Sequence, residues 1–137
     1  MSSSVHPIDP RKSQANEIDS ILRNLMSIQG VSAAAIIDSD GFVTHIQRDY
    51  EINTDAIGAS VQVVFGAASK AASHVGHLMT ELVICENSEG YLLSTPIQAG
   101  FMLALVTKRD ALLGRVRFEL KETIPVLKKL FSSYLAK

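Results

Sequence analysis

A single cysteine, Cys85, in a chain of 137 residues excludes an internal disulfide and any four-cysteine zinc site. Tryptophan is absent, and five phenylalanines with three tyrosines supply too little aromatic surface for a base-stacking platform. Neither sign of charge is in excess. A formal net charge of -1 argues against a protein that works by gripping nucleic acid. The longer apolar runs, such as Phe101 to Val106, fall far short of the ~18 residues a spanning helix needs. Met1 to Pro10 is Ser-rich and polar, without the basic start and apolar stretch of a secretion signal. Ser2 stands where myristoylation needs glycine, and the C-terminus lacks the cysteine that prenylation needs. The expectation is a soluble, cytoplasmic protein with no integral membrane contact. Its length suits one domain, since two cores are cramped below roughly 150 residues.

What is present is periodicity. Residues 1–13 read as a tail, with serines, Pro7 and Pro10 and no repeat, leaving 14–137 as the domain. Ile18, Ile21, Leu22, Leu25 and Ile28 recur at helical spacing, with Ser13 or Asn16 as cap and Gly30 as stop. Val31–Ile37 and Phe42–Ile46 are apolar runs joined by Asp38-Ser39-Asp40-Gly41, a hairpin signal because glycine supplies the positive φ of a tight turn. A second helix follows, capped by Asn53 or Thr54, with its stripe on Ile57, Val61, Val64, Phe65, Ala68, Ala72 and Val75. Three strands come next: Met79–Cys85, Tyr91–Thr95 and Phe101–Thr107. A long helix closes the chain on Leu113, Val116, Leu120, Ile124, Leu127, Phe131 and Leu135, and Pro125 inside it predicts a kink.

The order is therefore αββαβββα, with connections short enough to make neighbouring strands antiparallel. Ala33–Ile37, Leu82–Cys85 and Met102–Val106 do not alternate apolar with polar, as strands with one wet face would. The sheet should be covered on both faces. The fold class is α+β, a helix–sheet–helix sandwich around a five-stranded antiparallel sheet.

Chemistry-bearing constellations are scarce. Gly66-Ala67-Ala68-Ser69-Lys70 fails the phosphate-loop template, which needs a second glycine before the lysine and a hydroxyl after it. Asp38-x-Asp40-Gly41 lacks the remaining ligands of a calcium loop. His74 and His77 are spaced to share a metal but have no third ligand nearby, and His45 has no partner to act on. Cys85 sits in an apolar run without the basic context that activates a thiolate. No catalytic residue, metal or cofactor is assigned.

Two segments carry functional weight instead. Residues 108–137 hold eight Lys/Arg against three acids, whereas the preceding residues hold five against eleven. With acids interspersed and the aromatics assigned to the core stripe, this reads as the solvated face of an amphipathic helix. An acidic partner or an anionic membrane surface is the alternative. The second helix is rich in Gly, Ala and Ser, with one lysine and no acid after Asp55. Its interior glycines each cost about 1 kcal/mol against alanine, a cost that close approach of another chain would offset. Depletion of charge marks the core of an interface.

The pattern Gly30-Val31-x-Ala33-Ala34-Ala35-Ile36-Ile37-Asp38-x-Asp40-Gly41, the small-residue second helix, the three strands and Leu113-Gly114-Arg115-Val116-Arg117 resemble the roadblock / dynein light-chain family over about residues 15–135. The nearest likeness is to its prokaryotic MglB-like branch, regulators of small Ras-like GTPases. The resemblance implies one helix on one sheet face and the terminal helices on the other. It also implies a homodimer formed through the second helix and third strand. Carried onto this sequence, the helix contributes Ala59, Ser60, Val63, Ala67, Lys70 and His74. The strand contributes Thr80, Glu81, Leu82, Val83, Ile84 and Cys85. Gln62, Gly66, Ser69 and Ser73 would form the platform offered to the GTPase; no catalytic residue is assigned, Arg48 in the loop before the second helix being the one candidate for an arginine acting on nucleotide. The implied role is a non-enzymatic regulator or scaffold, with a structural adaptor that leaves nucleotide turnover unchanged as the alternative.

Overall fold

The computed structural model describes residues 10–135. Its elements are α1 (Pro10–Met26), β1 (Val31–Ile37), β2 (Val43–Arg48), α2 (Thr54–His74), β3 (Val83–Asn87), β4 (Gly90–Pro96), β5 (Met102–Thr107) and α3 (Leu113–Leu135). This is the order read from the sequence, in one antiparallel sheet ordered β2-β1-β5-β4-β3.

Residues 1–9 of the expected tail lie outside the described residues. Helix α1 begins at Pro10, ahead of the expected caps at Ser13 or Asn16. Proline suits a first helical position, where its missing N–H would have had no intrahelical partner. The hairpin is locked by Asp38, whose Oδ1 accepts from the backbone N–H of Asp40 and of Phe42, each at 2.9 Å. Gly41 supplies the turn's positive φ of 89°.

Asn53 is the cap of α2, its side chain accepting from the Ala56 amide at 3.1 Å. The helix ends at His74, and Gly76, φ 81°, turns the chain away, with the Gly76 and His77 amides donating to the carbonyls of Ser73 and Ala72. Helix α3 runs unbroken past Pro125, which faces solvent, so the chain is not split there.

Both sheet faces carry helices, as the unalternating strands require, though α2 covers its face only in part. On one face Ala34, Ile36, Leu93, Leu103 and Leu105 meet Leu22 and Leu25 of α1 and Val116, Leu120, Leu127 and Phe131 of α3. On the other, Ile37, Met102 and Ala104 meet Val61 of α2, with Ile57 and Phe65 beside them. The second cluster is much smaller than the first.

Two expectations need correction. The stripe of α2 is right in phase but wrong in extent: Gly58 and Val61 are its buried residues, and Val64 and Val75 face solvent. The third strand spans Val83–Asn87, not Met79–Cys85. Its register places Val83 opposite Ser94, so continuing the ladder would set Glu81 against Pro96. Proline has no N–H to donate there. The Thr95 hydroxyl bonds the Glu81 carbonyl instead, at 2.9 Å, and pairing stops.

Candidate functional site

The sheet is open along β3, an edge strand, and along the outward face of α2. Ser60, Val63, Ala67, Lys70 and His74 are all exposed, Val63 by 70%. Ala59 is exposed too, although its backbone leans on the hairpin tip. The apolar surface continues past the helix end through Val75, Leu78 and Met79, which are 69%, 98% and 78% exposed. Large apolar side chains left exposed in one region in this way mark an interaction surface.

The two interior glycines of α2 have different reasons. A side chain at Gly58 would run into the Gly41 carbonyl, so this glycine serves the packing of helix on hairpin. A side chain at Gly66 would have nothing within 4 Å. Nothing within the protomer requires glycine there.

The residues expected to form the platform divide. Gly66 and Ser73 are exposed, and Ser69 is half-buried. Gln62 is committed inward, its amide donating to the carbonyls of Asp38 at 2.8 Å and Gly100 at 2.9 Å. It ties α2 to two turns at one end of the sheet. Arg48 is likewise engaged, donating to the Ile52 carbonyl at 3.0 Å in the loop that leads into α2.

Of the strand residues, Val83, Ile84 and Cys85 lie in β3, whereas Thr80, Glu81 and Leu82 form the extended approach to it. Val83 and Cys85 point to the α2 side, and Ile84 packs toward α1 and α3. A cleft of about 550 Å³ joins the two halves of the expected contact, lined by Ala68 and Ala72 from α2 and by Met79 to Val83. A larger open cleft of about 980 Å³ lies where α2 leaves the sheet uncovered, between Tyr50, Ile57, the β3–β4 turn and Lys108. A third, of about 640 Å³, runs between α1 and α3 past Ile21, Val126 and Leu130.

Among the described residues no three His, Cys, Asp or Glu side chains gather as metal ligands, and no helix is long and apolar enough to cross a membrane. His45 lies on the β2 edge under α1. Burial lowers its pKa from the ordinary imidazole value, partly opposed by the negative charge of Asp19. Its imidazole Nδ1 lies 3.0 Å from the Thr44 hydroxyl. Sequence reasoning missed two exposures: the Leu78–Met79 step, assigned partly to a strand, and Phe118, which is 57% exposed while Phe131 takes the core position. Helical phase was the available signal for Phe118, since it sits half a turn from the stripe of Val116 and Leu120.

An uncovered helix face beside the β3 edge is the geometry of an interaction surface. The chain belongs to the Roadblock/LC7 domain family, whose sequence profile matches residues 17–107. Among solved structures it is similar to MglB of Myxococcus xanthus, at 19% identity and TM-score 0.79, covering 85% of this chain and 96% of that one. The gliding protein MglB of Thermus thermophilus is similar at 21% identity and TM-score 0.77, with 95% and 96% covered. An MglB described in a tetrameric arrangement matches at 19% identity and TM-score 0.77, over 95% and 96%. At these identities the likeness is one of fold. No curated protein matches the sequence.

Proposed function

We propose that this chain is a homodimeric, non-enzymatic regulator or scaffold of a small Ras-like GTPase in the cytoplasm. A second copy covers the outward face of α2 and the β3 edge. The paired α2 helices then present Gly66, Ser69 and Ser73 to the GTPase, with Gln62 fixing their height above the sheet. The observation that carries the reading is the uncovered, charge-poor face of α2 lying beside an edge strand. Membership of the Roadblock/LC7 family and the MglB-like fold support it.

Val63→Glu is the direct test. Covering a valine that is 70% exposed contributes about 1–2 kcal/mol per protomer, and so about 2–4 kcal/mol per symmetric dimer. A buried, unpaired carboxylate adds to that loss. Light scattering across a dilution series should give a dimer for the natural protein. The variant should be a monomer with an unchanged circular dichroism spectrum. A natural protein that stays monomeric at high concentration sinks the reading. The alternative is an adaptor without effect on nucleotide turnover, favoured by the engagement of Arg48 within its own loop. Hydrolysis and exchange by the GTPase, measured with and without this protein, separate the two.

A further inference from the structure

The face of α3 turned away from the core is not a plain solvated surface. Phe118 stands on it more than half exposed, with exposed Arg117, Lys121, Lys128 and Lys129 around it; of the two acids among them, Glu119 is paired with Arg115 at 3.0 Å and Glu122 is free of such a pair among the described residues. At 100° per residue Phe118, Glu122 and Lys129 lie on the outer face, opposite the buried Val116, Leu120 and Leu127, and Arg117, Lys121 and Lys128 form a row along the adjoining flank. The surface is a ridge. Phe118 lines none of the three clefts described above.

From this juxtaposition we infer that the outer face of α3 docks the protein on an anionic phospholipid surface. The lysines and arginines meet lipid phosphates and carboxylates, and the Phe118 ring enters the headgroup layer. A protruding aromatic ring needs a pocket in a protein partner, but a lipid surface accepts it without one. Basic residues near an anionic leaflet are attracted additively and within a Debye length. The contact is peripheral, because no described helix can cross a bilayer. It also has a direction: α2 lies on the opposite side of the sheet, so its outward face points away from the membrane.

Arg117 lines the cleft beside Thr80 to Val83, which places the Arg117–Lys121–Lys128 side of α3 toward the β3 edge. The dimer proposed above carries two such rows. The doubled row rests on that reading; the docking of one protomer does not.

The intact protein is mixed with phosphatidylcholine vesicles, with and without phosphatidylserine, and sedimented. It should pellet with the anionic vesicles alone and be released as salt is raised. Lys121→Glu combined with Lys128→Glu should lower partitioning on the order of tenfold or more, leaving the circular dichroism spectrum unchanged. Phe118→Ser should weaken binding with no change in its salt dependence. Failure of the natural protein to pellet with anionic vesicles at low salt overturns the inference. So does full binding by the double variant, or capture by polyglutamate in place of vesicles. Light scattering run in parallel keeps the two readings apart: a monomer that binds vesicles sinks the dimer, and a dimer that ignores them sinks the docking.

Discussion

Gly58 and Gly66 lie in the same helix, two turns apart, and alanine should move them in opposite directions. The intrinsic gain is the same at both sites, about 1 kcal/mol for replacing glycine in a helix interior. At Gly66 the new methyl meets nothing within 4 Å, so the gain is realised in full. In a domain of this size it should raise the melting temperature by about 3–5 °C. At Gly58 the methyl meets the Gly41 carbonyl, a backbone group held by the Asp38 turn, which cannot swing aside as a side-chain end would. Overpacking of this kind costs about 1–3 kcal/mol, and a rigid obstacle puts it at the upper end. The net effect of Gly58→Ala is a loss of about 2 kcal/mol. Urea unfolding at one fixed protein concentration reads both, since association shifts apparent stability by mass action. If both midpoints move the same way, the claim that one glycine serves the fold and the other does not is refuted.

Gln62→Ala removes two hydrogen bonds, although the Asp38 carbonyl keeps the Gly41 amide and the exposed Gly100 carbonyl can turn to water, and should cost about 1 kcal/mol of stability without changing the protein's mass in solution. Chemical denaturation with light scattering checks both halves of that statement. The lowered pKa of His45 gives a pH dependence of fixed sign. As pH falls below the ordinary imidazole value of about 6.5, the unfolded chain binds a proton before the folded one does, so stability drops until the folded-state pKa is passed. His45→Gln should flatten that part of the melting-temperature profile, and an unchanged profile would assign the slope to other groups.

How far the sequence could be read depends on where a residue's environment is set. The Asp38–Gly41 turn was legible because its chemistry is local: one carboxylate and one glycine decide it. The two covered faces were legible because Ala33–Ile37 and Met102–Val106 carry no polar residue for a wet side. The outward positions of α2 followed from helical phase and lie where the phase puts them. The extent of its burial did not, because that depends on the path of α2 across the sheet, and nothing in Val64 or Val75 records it. The limits of β3 were lost for a similar reason. Leu78, Met79 and Leu82 have strand composition, but the ladder is ended by Pro96 on a neighbouring strand. Gln62 shows the converse: a polar residue on a helix flank reads as free until the two carbonyls it holds, 24 and 38 positions away, come into view.

Pro96 has a consequence for how the molecule lives at high concentration. Leu78 to Asn87 is a ten-residue stretch rich in side chains that favour strands, at the margin of a sheet with no neighbour beyond it. Paired along its whole length, it would be a long, flat template on which further chains could add without limit. Ending the ladder at Val83 leaves five residues, and the Thr95 hydroxyl occupies the Glu81 carbonyl that the next rung would have used. A short edge guides one neighbour into register but supplies few backbone bonds of its own. In the dimer proposed above, a contact on so short an edge would draw most of its strength from side chains on α2, and would close on itself after one partner.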